Sequence, residues 1–276
     1  MNGRFSWLDV SATSKFAAKR ALGTLYALRP RSPHRKIVLL YHSIGHSPLA
    51  LEEAAFRRQI EWLSSAMKIV PLTRLLGSSE AAPFQAAITF DDGYASLYAA
   101  ALPILRELGA TAAAFLNTGW IANESRRQSD AAAGHHPGEE FLLWREVEEL
   151  AAAGWEVGSH GVDHLDLTVQ PFDIARFQLR ASRARIDQML GACSPVFSYT
   201  WGRHTERLRQ LVAEASYTHA VGGVYGALTD KTDPLAIPRL HIAKGYNLND
   251  FKAVVRGDWD YLGWMQRIMS RNQAPW

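Results

Sequence analysis

The sequence predicts a single α/β domain whose parallel sheet closes toward a barrel, and three observations point there. About seven strand-like apolar runs alternate with helical runs, with no repeat or linker between them. That order builds strand–helix–strand units around a parallel sheet. The chain has 276 residues, enough for one large α/β domain, and this many units in one domain favour closure over an open sheet. The best-defined run, Ala86-Ala87-Ile88-Thr89-Phe90, stops on Asp91-Asp92 and then Gly93. Paired acids at the C-terminal mouth of a strand stand where α/β folds place their chemistry.

The first strand is expected over residues 37–42, an apolar run ending in Tyr41-His42; continuous apolar runs of this length suit strands buried on both faces. Residues 52–67 carry Phe56, Ile60 and Leu63 at helical spacing. A short strand (68–71), a short helix (72–76) and a loop of small residues (77–83) lead into the central strand. Leu97, Ala100, Ala101, Ile104, Leu105 and Leu108 place a helix over 95–108. Residues 111–117 read as a strand. Residues 118–140 have little periodicity and contain Gly134-His135-His136-Pro137-Gly138, which marks a functional loop or a lid. A helix over 144–153 is closed by Gly154 and followed by a strand over 155–159. The longest helix spans 171–190. Strands at 195–199, 217–221 and 235–242 and helices at 206–215 and 249–256 complete the regular part. The organisation is thus a basic extension (1–36), the barrel (37–256) and an aromatic tail (257–276).

The hydrophobic fraction of 47% and charged fraction of 21% are ordinary for a globular chain. Cys193 is the sole cysteine, which excludes an internal disulfide framework and a cysteine-based zinc site, and fits a reducing compartment. The net charge of +3 conceals an asymmetry: residues 1–36 hold eight basic groups against Asp9 alone, leaving the other 240 residues at −4. A basic nucleic-acid-binding face on the body is therefore not expected. The extension does not read as a signal peptide, because its most apolar piece, residues 21–28, is short and broken by Gly23 and Thr24. Phe16, Ala18, Ala21, Leu22, Leu25 and Leu28 fall near helical spacing beside Lys15, Lys19 and Arg20. Such a helix either packs its apolar stripe on the body or lies on an anionic membrane surface. The expected location is the cytoplasm, with peripheral attachment to the inner face of the membrane through residues 1–36 as its extension.

Adjacent carboxylates call for a cation. The chain offers partners in Gly158-Ser159-His160-Gly161-Val162-Asp163-His164. On one helical turn, imidazoles at i and i+4 face the same way and can grip one metal. Two histidines and one carboxylate are a ligand set for catalytic zinc and other divalent ions. One aspartate suffices as ligand, leaving the other free to act as a general base on water.

Thr89-Phe90-Asp91-Asp92-Gly93 and His160-x-x-x-His164 resemble the first two motifs of the polysaccharide deacetylases, the NodB-homology carbohydrate esterases. The resemblance covers roughly residues 37–245, with Tyr41-His42 and Leu143-Trp144 as lesser agreements. It implies a distorted (β/α) barrel of about seven parallel strands and hydrolysis of N-acetyl groups on amino sugars. It also implies Asp91 as catalytic base and Asp92, His160 and His164 as ligands of one divalent metal, zinc first, with cobalt, nickel or manganese as alternatives. The implied partner is an N-acetylated glycan or glycolipid.

The third motif departs from the family pattern. Ser198-Tyr199-Thr200-Trp201-Gly202 stands where the family often has Arg-x-Pro-Tyr-Gly, so the arginine that orients the base is missing. Arg239 is the candidate substitute, the Trp201 N–H the candidate oxyanion donor, and His241 the candidate general acid, with a structural histidine as its alternative. His42 is a candidate for lining the site. His135 and His136 are expected as a solvated pair, and Asp163 and Asp166 as caps or outer acceptors around the histidine turn. Among the tryptophans, Trp120 and Trp201 are placed to meet a sugar, while Trp259, Trp264 and Trp276 suit an interface. Two other functions remain open: hydrolysis of a formyl or other non-sugar amide on the same barrel, and inactive glycan binding.

Overall fold

The computed structural model describes residues 12–30, 32–77 and 83–271. Its strands are β1 (Arg35–Tyr41), β2 (Lys68–Ile69), β3 (Phe84–Phe90), β4 (Ala113–Leu116), β5 (Glu156–Ser159), β6 (Val196–Ser198), β7 (His219–Val221) and β8 (Leu240–His241). Its α-helices are α1 (Ala12–Tyr26), α2 (Glu53–Ala66), α3 (Leu72–Gly77), α4 (Leu102–Glu107), α5 (Trp144–Ala152), α6 (Phe172–Leu190), α7 (Glu206–Glu214), α8 (Leu248–Arg256) and α9 (Tyr261–Arg271). The strands form one parallel sheet in the order β7-β6-β5-β4-β3-β1-β8, with β2 beside the first half of β3.

The sheet curls, and residues 237–241 span its seam. Ile237 bridges to Val221 at the end of β7, and three residues later Leu240 and His241 pair with Leu39 and Leu40 of β1. Alternation along the strands sorts the core. Val38, Ala87, Ala113, Phe115, Val196 and Val221 form an inner cluster capped by Leu72 and Leu75 of α3. Ile37, Leu39, Ile88, Phe90, Ala114 and Leu116 face the helical layer.

Register levels the strand ends: Tyr41 pairs with Phe90, and Leu116 with Ser159. His42, Asp91, Asn117 and His160 therefore leave the sheet along one rim.

Two elements depart from the simple reading. Residues 95–108 do not make one α-helix; a π-helical turn, Leu97–Ala101, precedes α4, and the Leu102 N–H reaches back to Leu97 O. Pro103 sits in the first turn of α4, where its missing N–H costs nothing. The terminal helix α1 packs on the body, yet not through its apolar stripe. Gly23 lies against Trp259, Tyr26 against Tyr261, and Arg20 makes a paired hydrogen bond to Asp250 of α8. Leu22, Leu25 and Leu28 remain 47%, 67% and 82% exposed. In the aromatic tail, Trp259 is buried under Tyr246 and Trp264 is exposed; Trp276 lies outside the described residues.

Candidate active site

Asp91 and Asp92 leave β3 in opposite directions because the chain turns sharply at their junction. Asp92 and Gly93 both take left-handed backbone (φ +72° and +86°). A side chain on Gly93 would also strike Leu116, its Cβ falling 2.8 Å from that residue's Cδ2. Glycine is therefore the residue this turn requires.

Asp91 points toward the seam. Arg239 Nη1 and Nη2 donate to its two oxygens at 2.8 and 2.7 Å, and the Ser198 hydroxyl donates to Oδ1 at 3.0 Å. The remaining guanidinium hydrogens go to Gly222 O, Thr89 Oγ1 and Ser198 Oγ, so all five donors of a fully buried arginine are engaged. Burial alone would raise the Asp91 pKa. The Arg239 charge and hydrogen bonds, with the charges of His160 and His42, together outweigh it and hold the carboxyl well below the usual carboxylate range.

Asp92 points to the histidines. His160 Nε2 and His164 Nε2 each stand 3.5 Å from Asp92 Oδ1, and all three groups are buried. His160 Nδ1 meets Ser198 O and His164 Nδ1 meets Ala133 O, both at 2.8 Å. A carbonyl only accepts, so each Nδ1 carries its hydrogen and each Nε2 turns a lone pair toward the carboxylate. Burial favours the neutral form of His160. Three electron-rich atoms facing one another in a buried space require a cation between them. The donor set fits a zinc-like ion: tetrahedral ligand atoms about 2.0–2.1 Å from zinc stand about 3.3–3.4 Å apart.

Residues 160–164 are not the helical turn expected from their spacing. Gly161 (φ +87°) and His164 (φ +60°) are left-handed, and the loop is pinned by α6. Gln178 Oε1 accepts from the Val162 and Asp163 N–H groups, and Gln178 Nε2 donates to Asp163. Asp163 and Asp166 hold the loop from outside: Asp166 accepts from the Thr168 N–H and pairs with Arg203.

Trp201 sits over this centre with left-handed backbone (φ +60°). Its ring stacks on His164 at 5.0 Å and presses on Gly134, where a Cβ would lie 2.0 Å from the indole. On the other side, His42 packs edge-on to His241 at 5.6 Å. His241 keeps an accessible edge, yet the surrounding protein, together with His42 and Arg239, pushes its pKa down to about 3. The charge of His42 bears on both Asp91 and Asp92.

His135 and His136 are not a solvated pair. His135 is buried, stacked on His164 at 4.9 Å and flanked by Trp120 at 4.4 Å. His136 stacks between His42 and Tyr94, and its Nδ1 meets Ser43 Oγ at 3.0 Å. Burial pushes both down to about 4. Their place is set by hydrogen bonds such as Tyr94 Oη accepting from the His136 N–H, a pairing without any sequence period. Trp120 consequently packs behind His135 and against Phe141.

The family model for polysaccharide deacetylases matches residues 79–220, about half of the chain. The chain belongs to the polysaccharide deacetylase family. The matched span contains Asp91, Asp92, His160, His164 and Trp201, while His42, Arg239 and His241 lie outside it. YxkH of Bacillus subtilis (strain 168) is 25% identical over 234 residues, covering 83% of this chain and 78% of YxkH. Solved structures share the fold at lower identity. The Streptococcus pyogenes deacetylase PplD, solved with acetate, superposes with a TM-score of 0.69 at 21% identity, covering 81% of this chain and 99% of PplD. IcaB from Ammonifex degensii gives 0.68 at 19%, covering 82% and 97%. The curled parallel sheet is thus the (β/α) barrel of these deacetylases.

Proposed function

We propose that this chain is a metal-dependent N-deacetylase that removes acetyl groups from N-acetylhexosamine units of a polysaccharide, an oligosaccharide or a lipid-linked glycan. The observation that carries the reading is the division of labour between the adjacent acids. Asp92 converges with His160 and His164 on a space for a cation, while Asp91 is held ionised beside it by Arg239. An enzyme needs both halves, whereas a glycan-binding protein has no use for a buried carboxylate kept ready beside the ligand set.

Asp92, His160 and His164 would hold a divalent ion, zinc first among the candidates, which would supply a Lewis acid and acidify water there. Asp91 takes the proton of the attacking water. Arg239 and Ser198 fix its direction. Arg239 thereby fills the place of the arginine that the third motif lacks. The backbone N–H of Trp201 donates to the developing oxyanion. The departing amine needs a proton, and the edge-on pair His42 and His241 stands at the rim of the site to deliver it.

Acetate release from N-acetylglucosamine oligomers and from a glycolipid extract tests the reading, with chelator and then with zinc or cobalt restored. Release that stops with chelator and returns with metal is the expected outcome. Stoichiometric metal binding with no release from any acetylated sugar sinks it, and turnover of a formyl or other amide by the same protein would redirect it. The exposed leucines of α1, in a segment of strong positive charge, support the further proposal of peripheral contact with the anionic cytoplasmic face of a membrane.

A further inference from the structure

Glu139 is a buried carboxylate with no ion pair to it among the described residues. It stands outside the metal centre, near the end of the loop that carries His135 and His136. Burial raises its pKa, and the hydroxyls of Ser47 and Ser43, which both bond the carboxylate, work the other way. A hydrogen bond that lowers a carboxyl pKa favours the ionised form, so both serines donate. Ser43 is itself buried, and its Oγ also meets His136 Nδ1 at 3.0 Å. A hydroxyl has one hydrogen, and this one is committed to Glu139. Ser43 therefore accepts from His136: Nδ1 carries the imidazole hydrogen, and Nε2 is left with a lone pair.

That lone pair has a defined place. The His136 ring is held between His42 at 5.0 Å and Tyr94 at 5.5 Å. The His136 N–H donates to Tyr94 Oη at 2.7 Å, and the same hydroxyl bonds the Asp92 side chain. His136 thus lies between a residue of the metal centre and the histidine pair that serves the departing amine. The ring is half-buried, and Nε2 has no hydrogen-bond partner among the described residues. It is an acceptor fixed by two buried groups behind it and waiting for a donor in front.

We infer that His136 Nε2 accepts the N–H of the scissile acetamide, with Ser43 and Glu139 as positioning residues that keep it an acceptor. This rests on the N-deacetylase reading and deepens it, because the site then tells an amide from an ester. When the C–N bond breaks, its electron pair stays on the nitrogen, which takes its proton from the side of His42 and His241. Positive charge grows on that nitrogen, so its bond to Nε2 strengthens toward the transition state. His136 exchanges no proton. An O-acetyl ester places an oxygen lone pair against the Nε2 lone pair, with no hydrogen between them, and leaves the acceptor unpaired.

Two measurements on the full chain test this. Nitrogen-15 spectra of histidine-labelled, metal-free protein near neutral pH report the His136 tautomer directly, and the Nδ1–H form is expected. Acetate release by the zinc-loaded protein then gives kcat/KM for the methyl glycosides of N-acetylglucosamine and of 2-O-acetylglucose, which differ at the acetylated atom. His136→Phe keeps a ring between His42 and Tyr94 and removes the acceptor. It is expected to lower the amide-to-ester ratio at least about tenfold. Glu139→Gln removes the charge that fixes the direction of the chain, and is expected to lower the same ratio and to admit the Nε2–H tautomer. A parent His136 protonated on Nε2 overturns the inference. So does a parallel fall on both substrates in His136→Phe, which would mark a merely structural ring. Calorimetry with zinc-loaded Asp91→Asn separates the two readings. If that protein binds the amide more tightly than the ester and His136→Phe removes the preference, yet the parent releases no acetate, the acceptor stands and the deacetylase reading falls. Equal binding of the two glycosides without release overturns both.

Discussion

Asp91 and Asp92 are neighbours in the chain and opposites in surroundings. One is neutralised by a guanidinium with every donor engaged, the other faces two imidazole lone pairs. Asp91→Asn is therefore expected to abolish turnover, by at least about a hundredfold in kcat, while leaving bound metal near one equivalent. His160→Ala is expected to lose both, because two remaining ligands hold a divalent ion poorly. Metal analysis of both variants beside the acetate assay checks the pair, and full activity in Asp91→Asn would refute the role given to it. These residues were legible because each motif is compact. Two acids after an apolar run, and two histidines four apart, carry their chemistry within a few positions. His135 and His136 were not, since their burial depends on where an aperiodic loop folds back, on Tyr94 and on Trp120. His42 and Arg239 fall between these cases: their strand ends were readable, their partners across the sheet were not.

At the scale of elements, the strands and helices from β1 to α8 follow the order read from the sequence, although β2 and β8 shrink to two residues each and the stretch read as an aromatic tail contains α9. Exceptions arise where local pattern competes with tertiary contacts. The i, i+4 histidines suggested a helical turn, but the Gln178 side chain organises that segment as a loop. The stripe of α1 was readable and its orientation was not, because the helix docks through Gly23, Tyr26 and Arg20. Deleting the exposed leucines together, as Leu22→Ser with Leu25→Ser and Leu28→Ser, is expected to reduce flotation with anionic vesicles while leaving acetate release from a soluble oligomer in place. Equal flotation of the triple variant and the parent would sink the membrane proposal. Docking of α1 also carries a pH signature. Burial would raise the Asp250 pKa, but the Arg20 guanidinium and the Asn247 N–H outweigh it and lower the value. A depressed native pKa stabilises docking above the unfolded carboxylate value of about 3.9. That contribution is lost only as pH falls below it and through the native one. Proteolytic cutting within residues 12–30 is expected to stay slow from pH 8 to 5 and to rise below about pH 4; a rise beginning at pH 6 would exclude Asp250 as the cause.

At the scale of the whole molecule, the seam segment does two things with five residues. Ile237 and Leu240 join the two edges of the sheet, and Arg239 between them supplies the counter-charge of Asp91. Arg239→Ala leaves a buried carboxylate without its partner, a change that costs about 3–5 kcal/mol in comparable sites. It is expected to lower the denaturation midpoint as well as activity. Arg239→Lys restores charge without the paired geometry and is expected to recover stability more than kcat. Urea unfolding and acetate release on both variants separate the two effects; unchanged stability in Arg239→Ala would show that the seam does not depend on the ion pair.

The seam also sets an order of events during synthesis. Asp91 and Arg239 are 148 positions apart, and β8 is the last in chain order among the described strands. A chain emerging from its N-terminus exposes Asp91, Asp92, His160 and His164 before Arg239, so the carboxylate of Asp91 waits for its counter-ion until the seam segment follows.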